Sequence, residues 1–484
     1  MRRVWLLSVL LIAVSLPIGC GSDNGVTGFV PKGNFSATSL SGQYVYQVSG
    51  LDFTNSSSGV LYRQAGVFTA DGSGNITAST DDFTEGGGIT TITGTGTYKV
   101  NVDGTGTLSL NSALGTLNFA FTMASTSKVY LIEGDTPLNA SGVAEKQDTS
   151  VLTAAPTGRY AFLFHTIGRT SVGRVGVLTS NNGSISGHQD INNSGSFSSP
   201  DITSGILNTP SDPTIGRGTG NFTDTATTHF NYYIVDANNI RFLTSDLESV
   251  GIGRAEKQSG TPALSGSYAL GTNGDTGNFI GGVNTVGRFT AGNGSIMNGA
   301  LDTVQDGTNA VNVPFTGSFT QVNGRASVTF NFNSGTANEI IWMVSPSRGF
   351  ILVNHTNTVE DGTLDLQQST SFSASNLNGQ YAFLNTGFTL NGVAFPLDRV
   401  GTFIPDGSSK LDLNETVNSS GNVISGQVFA GTFQVSNNGR ATATINQVSL
   451  TNNDFVFYLI SGSDAYVLQN DLGVQISGTI SKQP

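Results

Sequence analysis

One cysteine, Cys20, occurs among 484 residues, so no disulfide can close within the chain and any core must hold by burial alone. Charge is scarce as well: 11% of residues are Asp, Glu, Lys or Arg, and the formal net charge is −12. An acidic chain lacks the basic footprint that nucleic acid requires, so no nucleic-acid partner is expected. Helical periodicity is missing, since no stretch keeps a 3.6-residue period for more than a turn or two. Without a helix there is no Gly-rich loop leading into one, and hence no phosphate cradle. The Gly-x-Ser-x-Gly elbow of a serine hydrolase is absent. Ser125-Thr126-Ser127-Lys128 satisfies Ser-x-x-Lys, but it falls in a predicted turn with no companion motif. The four histidines, His165, His188, His229 and His355, show no zinc-binding spacing and read as isolated polar or packing residues. Asp81 and Asp82 are neighbours on a predicted strand and point to opposite faces, which makes a poor acid–base pair. Asp71-Gly72-Ser73-Gly74-Asn75 lacks the alternating acids and terminal Glu of a calcium loop, and reads as a hairpin turn. No metal site, no cofactor and no enzymatic chemistry are expected.

What is present is alternation with a period of two. Tyr98-Lys99-Val100-Asn101-Val102, Leu117 to Met123 and Ala326 to Phe332 each place apolar groups on one face and polar groups on the other. Such segments are half-buried antiparallel strands. Asp71-Gly72, Asn182-Gly183, Asn293-Gly294 and Asp406-Gly407 punctuate them, and a second set follows at Asp103-Gly104, Asn323-Gly324 and Asn438-Gly439. These dipeptides accept the positive φ of tight hairpins.

The pattern occurs four times. Gly42-x-Tyr44, Gly158-x-Tyr160, Gly266-x-Tyr268 and Gly379-x-Tyr381 open the repeats at spacings of 116, 108 and 113 residues. Gly142/Gln147, Gly253/Gln258, Gly362/Gln367 and Gly478/Gln483 close them. The tyrosines read as core anchors whose hydroxyls reach a barrel end. A Gly-x-Phe marker begins at Gly66, Gly176, Gly287 and Gly401, with Leu178 in place of Phe in the second repeat. Repeat one resolves into eight predicted strands joined by short turns, which favours an up-and-down meander. The expected fold is therefore all-β, with four tandem modules of about 110 residues, each a small eight-stranded barrel. An immunoglobulin-like sandwich is the alternative. The predicted boundaries are a leader at 1–20, a Gly- and Ser-rich tether at 21–38, and modules at 39–148, 155–259, 263–368 and 377–484. Joins this short predict a rod or compact string of modules in near-contact. Trp342 falls on a predicted core strand of the third module.

Met1-Arg2-Arg3 precedes an apolar run from Val4 to Ile18, too short for a comfortable membrane span but fitting a secretory leader. The run ends at Gly19-Cys20, after which the composition turns polar. This resembles the lipobox of bacterial lipoproteins, and the resemblance implies lipidation of Cys20. Gly21, rather than Asp, follows the cysteine, which in that family implies the outer membrane or cell surface; a periplasmic or secreted protein is the alternative. The leader carries two arginines and no acid, so its removal takes the net charge from −12 to −14. Acyl chains, not electrostatics, would then supply the membrane attachment.

Each first predicted strand carries Gly-x-Tyr, and the last carries a basic residue in three repeats, Lys146, Lys257 and Lys482, with Leu366 in the third. The pairing resembles the calycin superfamily, whose barrels carry Gly-x-Trp on the first strand under a basic residue. That resemblance implies barrels able to hold small apolar or sugar ligands. Repetition without any singular motif points instead to a structural, adhesive or multivalent role, with an envelope protein or polysaccharide as partner. A hydrolase of envelope polymer is a third reading, for which the chain supplies no nucleophile–base pair.

Overall fold

The computed structural model describes residues 31–276, 282–356, 358–390, 394–446 and 453–484; the leader, Cys20 and residues 21–30 lie outside the described residues. The described chain is all-β, with three short 3-10 helices at module entrances. The first barrel consists of β1 (Ser41–Asp52), β2 (Val60–Asp71), β3 (Asn75–Thr84), β4 (Thr90–Val100), β5 (Thr105–Ser112), β6 (Gly115–Ser125), β7 (Lys128–Glu133) and β8 (Leu138–Lys146). Each strand pairs antiparallel with the next, and β8 returns to β1 with Tyr44 opposite Lys146. The meander closes into a barrel, as its alternation and hairpins predict, and not into a sandwich.

Three more barrels follow, with first strands at Gly158–Ile167, Gly266–Thr276 and Tyr381–Leu390. The second is irregular on one side. Its fourth strand, Ser204–Leu207, is only four residues long, and the segments Ser196–Ser198 and Asp201–Ile202 pair beside it. Pro200 and Pro210 flank this region, and proline cannot donate to a ladder. Pairing of the second strand with the third still completes an eight-strand ring.

Turn geometry follows the residues that form it. Asn182-Gly183 and Asn293-Gly294 hold positive φ at both positions, the hairpin conformation expected of Asn-Gly. Asp71 and Asp406 instead use their carboxylates to accept backbone N–H groups from Ser73 and Asn75, and from Ser408, Ser409 and Lys410.

The barrels are solid. Tyr44, Tyr46, Phe68, Phe119, Phe121 and Leu131 fill the first, and comparable Phe- and Tyr-rich clusters fill the others. In the fourth barrel the void among Phe383, Phe403, Phe455 and their neighbours measures about 20 Å³, room for roughly one water.

The short joins do not produce a rod. The first two strands of each barrel pack against the sixth and seventh strands of the next. Val45, Ala65 and Val67 meet Tyr233 and Leu243 of the second barrel. Leu163 and Val175 meet Trp342 and Phe350 of the third, and Ala269 and Val286 meet Tyr458 and Leu468 of the fourth. The fourth barrel repeats the move on the first, where Ala382, Leu384 and Val400 cover Ala120, Tyr130 and Ile132. A head-to-tail contact that closes after four copies makes a ring with pseudo-fourfold symmetry. Outward apolar residues on the first two strands of every repeat are the cause, since each needs a partner and the ring provides one for all four. Trp342 is buried in this way between barrels and not in a barrel core.

Candidate functional site

The residues that mark the repeats divide into two groups. Gly42, Gly158, Gly266 and Gly379 all have positive φ, and Lys146, Lys257, Leu366 and Lys482 respectively lie over them where a side chain would project. Two residues on, each tyrosine reaches a carbonyl at the turn between the sixth and seventh strands. Tyr44 donates to Thr126 (2.6 Å), Tyr160 to Ala237 (3.1 Å), Tyr268 to Pro346 (2.7 Å) and Tyr381 to Gly462 (2.6 Å). The same tyrosines stand in register opposite Phe68, Leu178, Phe289 and Phe403, so the Gly-x-Tyr and Gly-x-Phe signatures form one cross-strand pair. Gly142, Gly253, Gly362 and Gly478 sit where the last strand runs against the backbone or side chains of the first, with no room for a Cβ.

The closing glutamines reach outside their own barrels. Gln147 donates to the Ile215 (2.9 Å) and Ile234 carbonyls of the second barrel, and Gln258 to Met343 (2.6 Å) of the third. Gln367 donates to Leu459 (2.8 Å) of the fourth. Gln483 completes the circuit, donating to Asp103 (2.9 Å) and Met123 (2.7 Å) of the first. Read from sequence, these glutamines only end a repeat. In three dimensions they are the joints of the ring.

A second contact reinforces three joints. Asp82 accepts from Arg217 (2.7 Å) and Tyr233 (2.6 Å), and Asp190 from Arg325 (2.6 Å) and the Trp342 indole (2.8 Å). Asp302 likewise accepts from Arg440 and Tyr458, both at 2.7 Å. All three carboxylates are wholly buried. Burial raises the Asp82 pKa, but Arg217 and the hydroxyls of Thr91 and Tyr233 lower it further, and the group ends below the usual range. The barrel-four to barrel-one joint has threonine at every equivalent position, namely Thr416 for the Asp, Thr105 for the Arg and Thr122 for the aromatic. It also lacks a backbone bond. Asp148, Ser259 and Gln368 donate N–H to Val235, Val344 and Ile460 across the other joints, whereas the matching residue here is Pro484. In their place, Asn139 and Asn418 bond each other across the seam, and Tyr130 bonds Ser481. The arginines of the clasps directly follow a glycine, that of the second turn set at 324–325 and 439–440 and Gly216 in the second barrel, so a recurrent Gly-Arg was the available signal.

Around the ring axis, the first and eighth strands of all four barrels, with the second strands of the first, third and fourth, line an open cavity of about 530 Å³. Its wall holds Arg63, His165, Arg254, Asp275, Asp361 and Asp398. His165 is not an isolated residue. Its Nδ1 lies 2.6 Å from Asp361 and its Nε2 3.0 Å from the Ser171 hydroxyl, the order of a Ser-His-Asp relay. A fourth member changes the chemistry. Asp275 sits 3.2 Å from the same Nε2 and accepts the Ser171 proton at 2.9 Å. Burial opposes protonation of His165, but the two carboxylates outweigh it and hold the pKa up at about 10. With the Ser171 hydroxyl donated to Asp275 and the imidazole held between two carboxylates, the cluster is an ionic clasp between barrels two and three. Asp81 and Asp82 do face opposite ways. Asp81 accepts from Tyr46 (2.6 Å) inside the first barrel, where burial pushes its carboxyl up to about 7. His188 repeats the Ser-His-Asp order, with Nδ1 2.8 Å from Asp201 and Nε2 3.0 Å from the Ser199 hydroxyl, which donates to Asp190 at 2.7 Å, and His229 pairs with Asp246. Among the described residues no group of His, Cys, Asp and Glu is arranged to hold a metal ion.

No protein-family model matches the chain, and no curated protein matches it in sequence. Among solved structures, it overlaps isotype 1 transferrin binding protein B from serogroup B Neisseria meningitidis. That overlap has 11% identity and a TM-score of 0.22, and covers 74% of this chain and 83% of the other. A mutant of the vaccine antigen transferrin binding protein B from Haemophilus parasuis Hp5 overlaps with 8% identity and a TM-score of 0.19, over 75% and 82% of the two chains. Scores of this size fall well short of a common architecture.

Proposed function

We propose that this chain is an exported, lipid-anchored protein of the outer membrane or cell surface, whose four barrels act as one rigid structural or adhesive binding platform without enzymatic chemistry. Ring closure carries the reading. Four copies joined head to tail through buried glutamines and ion pairs present their outer surfaces at fixed angles, which is what multivalent contact with an envelope protein or polysaccharide needs. The lipobox-like Gly19-Cys20 supports the anchor, and the net charge of −12 weighs against nucleic acid as a partner. The carrier reading places ligands inside the barrels, and the filled cores weigh against it. Against the hydrolase reading, both Ser-His-Asp arrangements among the described residues, at His165 and His188, have a serine hydroxyl that donates to an aspartate, Ser171 to Asp275 and Ser199 to Asp190.

Cys20→Ser tests the anchor. The variant should move from the membrane to the soluble fraction and lose acyl-chain labelling, and a variant that stays membrane-bound and labelled would refute it. Binding to isolated envelope should persist in soluble Cys20→Ser protein; loss of that binding would refute the platform.

A further inference from the structure

The axial cavity is built differently from the rest of the molecule. Interfaces between barrels pair their buried carboxylates with arginines at three joints, as in Asp82–Arg217, Glu256–Arg348 and Asp302–Arg440. Arg254, on the cavity wall, has neither a hydrogen bond nor an ion pair among the described residues, and its guanidinium rests over the Phe350 ring at 5.2 Å. The nearby carboxylate of Glu256 is already bound by Arg348 at 2.7 Å. Burial and the charge of Arg348 together depress the Arg254 pKa, so an anion placed here would relieve both. Arg63, also on the wall, donates only to backbone carbonyls, of Gly50 (3.2 Å) and Tyr62 (2.8 Å). These bonds hold its head group by one nitrogen and leave the other two without a bonded partner. The wall also offers the neutral polar groups of Ser49, Asn273, Thr386 and Ser477, beside the carboxylates of Asp275, Asp361 and Asp398, of which Asp361 and Asp275 are engaged by His165. Gln475 adds a buried side-chain oxygen with no hydrogen-bond partner among the described residues.

We infer that the axial cavity binds one small polyhydroxylated anion per chain, of the class of a uronic acid or sugar phosphate, with its acidic group on Arg254, supported by Arg63, and its hydroxyls on the neutral and acidic polar groups of the wall. Guanidinium groups pair with carboxylates and phosphates through two parallel bonds, neutral polar side chains suit hydroxyls in either donor or acceptor sense, and carboxylates accept from them. The volume falls within the range of small-molecule sites. All four barrels contribute to the wall, so the site exists only when the ring is closed. This ligand goes beyond the platform reading and does not depend on the lipid anchor.

Isothermal titration of the purified full chain with glucuronate, glucose 6-phosphate, glucose and inorganic phosphate tests it. Both sugar acids should bind with a stoichiometry of one, at least about tenfold more tightly than glucose or inorganic phosphate alone. Arg254→Met with Arg63→Met should weaken that binding about tenfold or more while the melting transition is kept, and Arg254→Lys should retain part of it. Binding at four sites per chain would place the ligand in the barrels and overturn the inference. Equal affinity for glucose, affinity unchanged in the double variant, or no binding of either sugar acid would overturn it too. If the double variant fails to fold, Arg254→Lys and Arg63→Lys taken singly decide, because unchanged affinity in both would overturn the pairing.

Discussion

Gln483 donates its side-chain amide to the Met123 carbonyl at 2.7 Å, across 360 positions of sequence, and so joins the last barrel to the first. The same nitrogen reaches Asp103, and the side-chain oxygen accepts from Gln380. Removing it takes this donor from the Met123 carbonyl, while Asp103 keeps its bond from Gln380, at the one joint that has no Asp–Arg clasp. Gln483→Ala should therefore cost about 1–3 kcal/mol. Hydrogen exchange should rise selectively in β6 and β7 and in the first strand of the fourth barrel. Uniform loss of protection around the ring would argue against a local joint.

At the joint between the first two barrels the buried carboxylate of Asp82 holds Arg217, Tyr233 and Asn231 together. Asp82→Ala strands the guanidinium in a dry interface, and breaking a buried pair in this way costs about 3–5 kcal/mol. Chemical denaturation should show that loss, and Asp82→Ala combined with Arg217→Met should recover part of it. A double variant no more stable than the single one would show that the stranded charge is not the cause.

The clasp at His165 makes a prediction about pH. A histidine whose pKa rises from 6.5 to about 10 on folding stabilises the fold fully below pH 6.5, and that stabilisation is lost as pH rises through about 10. The melting temperature of the native chain should fall between pH 7 and pH 10 more steeply than that of His165→Gln. Parallel curves would show that His165 is neutral in the folded state.

Asp81 has the same sign for a different reason. Burial raises its carboxyl from 3.8 to about 7, so stability present below pH 3.8 is lost as pH climbs through 7. Asp81→Asn keeps an acceptor for the Tyr46 hydroxyl and removes the charge. It should match the native chain near pH 4 and melt a few degrees higher at pH 8. A variant less stable at pH 8 would show that the ionised form is satisfied inside the barrel.

Much of this architecture was legible in the sequence, because strand alternation and turn chemistry are local. The eight strands of the first barrel fall where period-two runs and Gly-containing turns set them. Tyr44 announces its role through the glycine two residues before it. The ring was not legible, because its cause is distributed. Val45, Ala65 and Val67 are short apolar residues that also suit an ordinary strand face, and only their meeting with Tyr233 and Leu243 shows that the outward side is buried. Gln147 and its equivalents could be recognised as recurrent without any sign that their acceptors lie in the next barrel. The pairing of His165 with Asp275 and Asp361 joins residues 110 and 196 positions apart, beyond the reach of motif spacing. Glutamine and aspartate at repeat-equivalent positions with no role inside their own module would be the pattern to seek.

Closure of the ring is the claim on which the joints, the clasps and the axial cavity all depend. Small-angle X-ray scattering of the purified chain tests it directly. A compact body of 484 residues should give a radius of gyration of about 23 Å and a pair-distance distribution with one peak. A much larger radius, with the long tail of four barrels strung in a line, would contradict it.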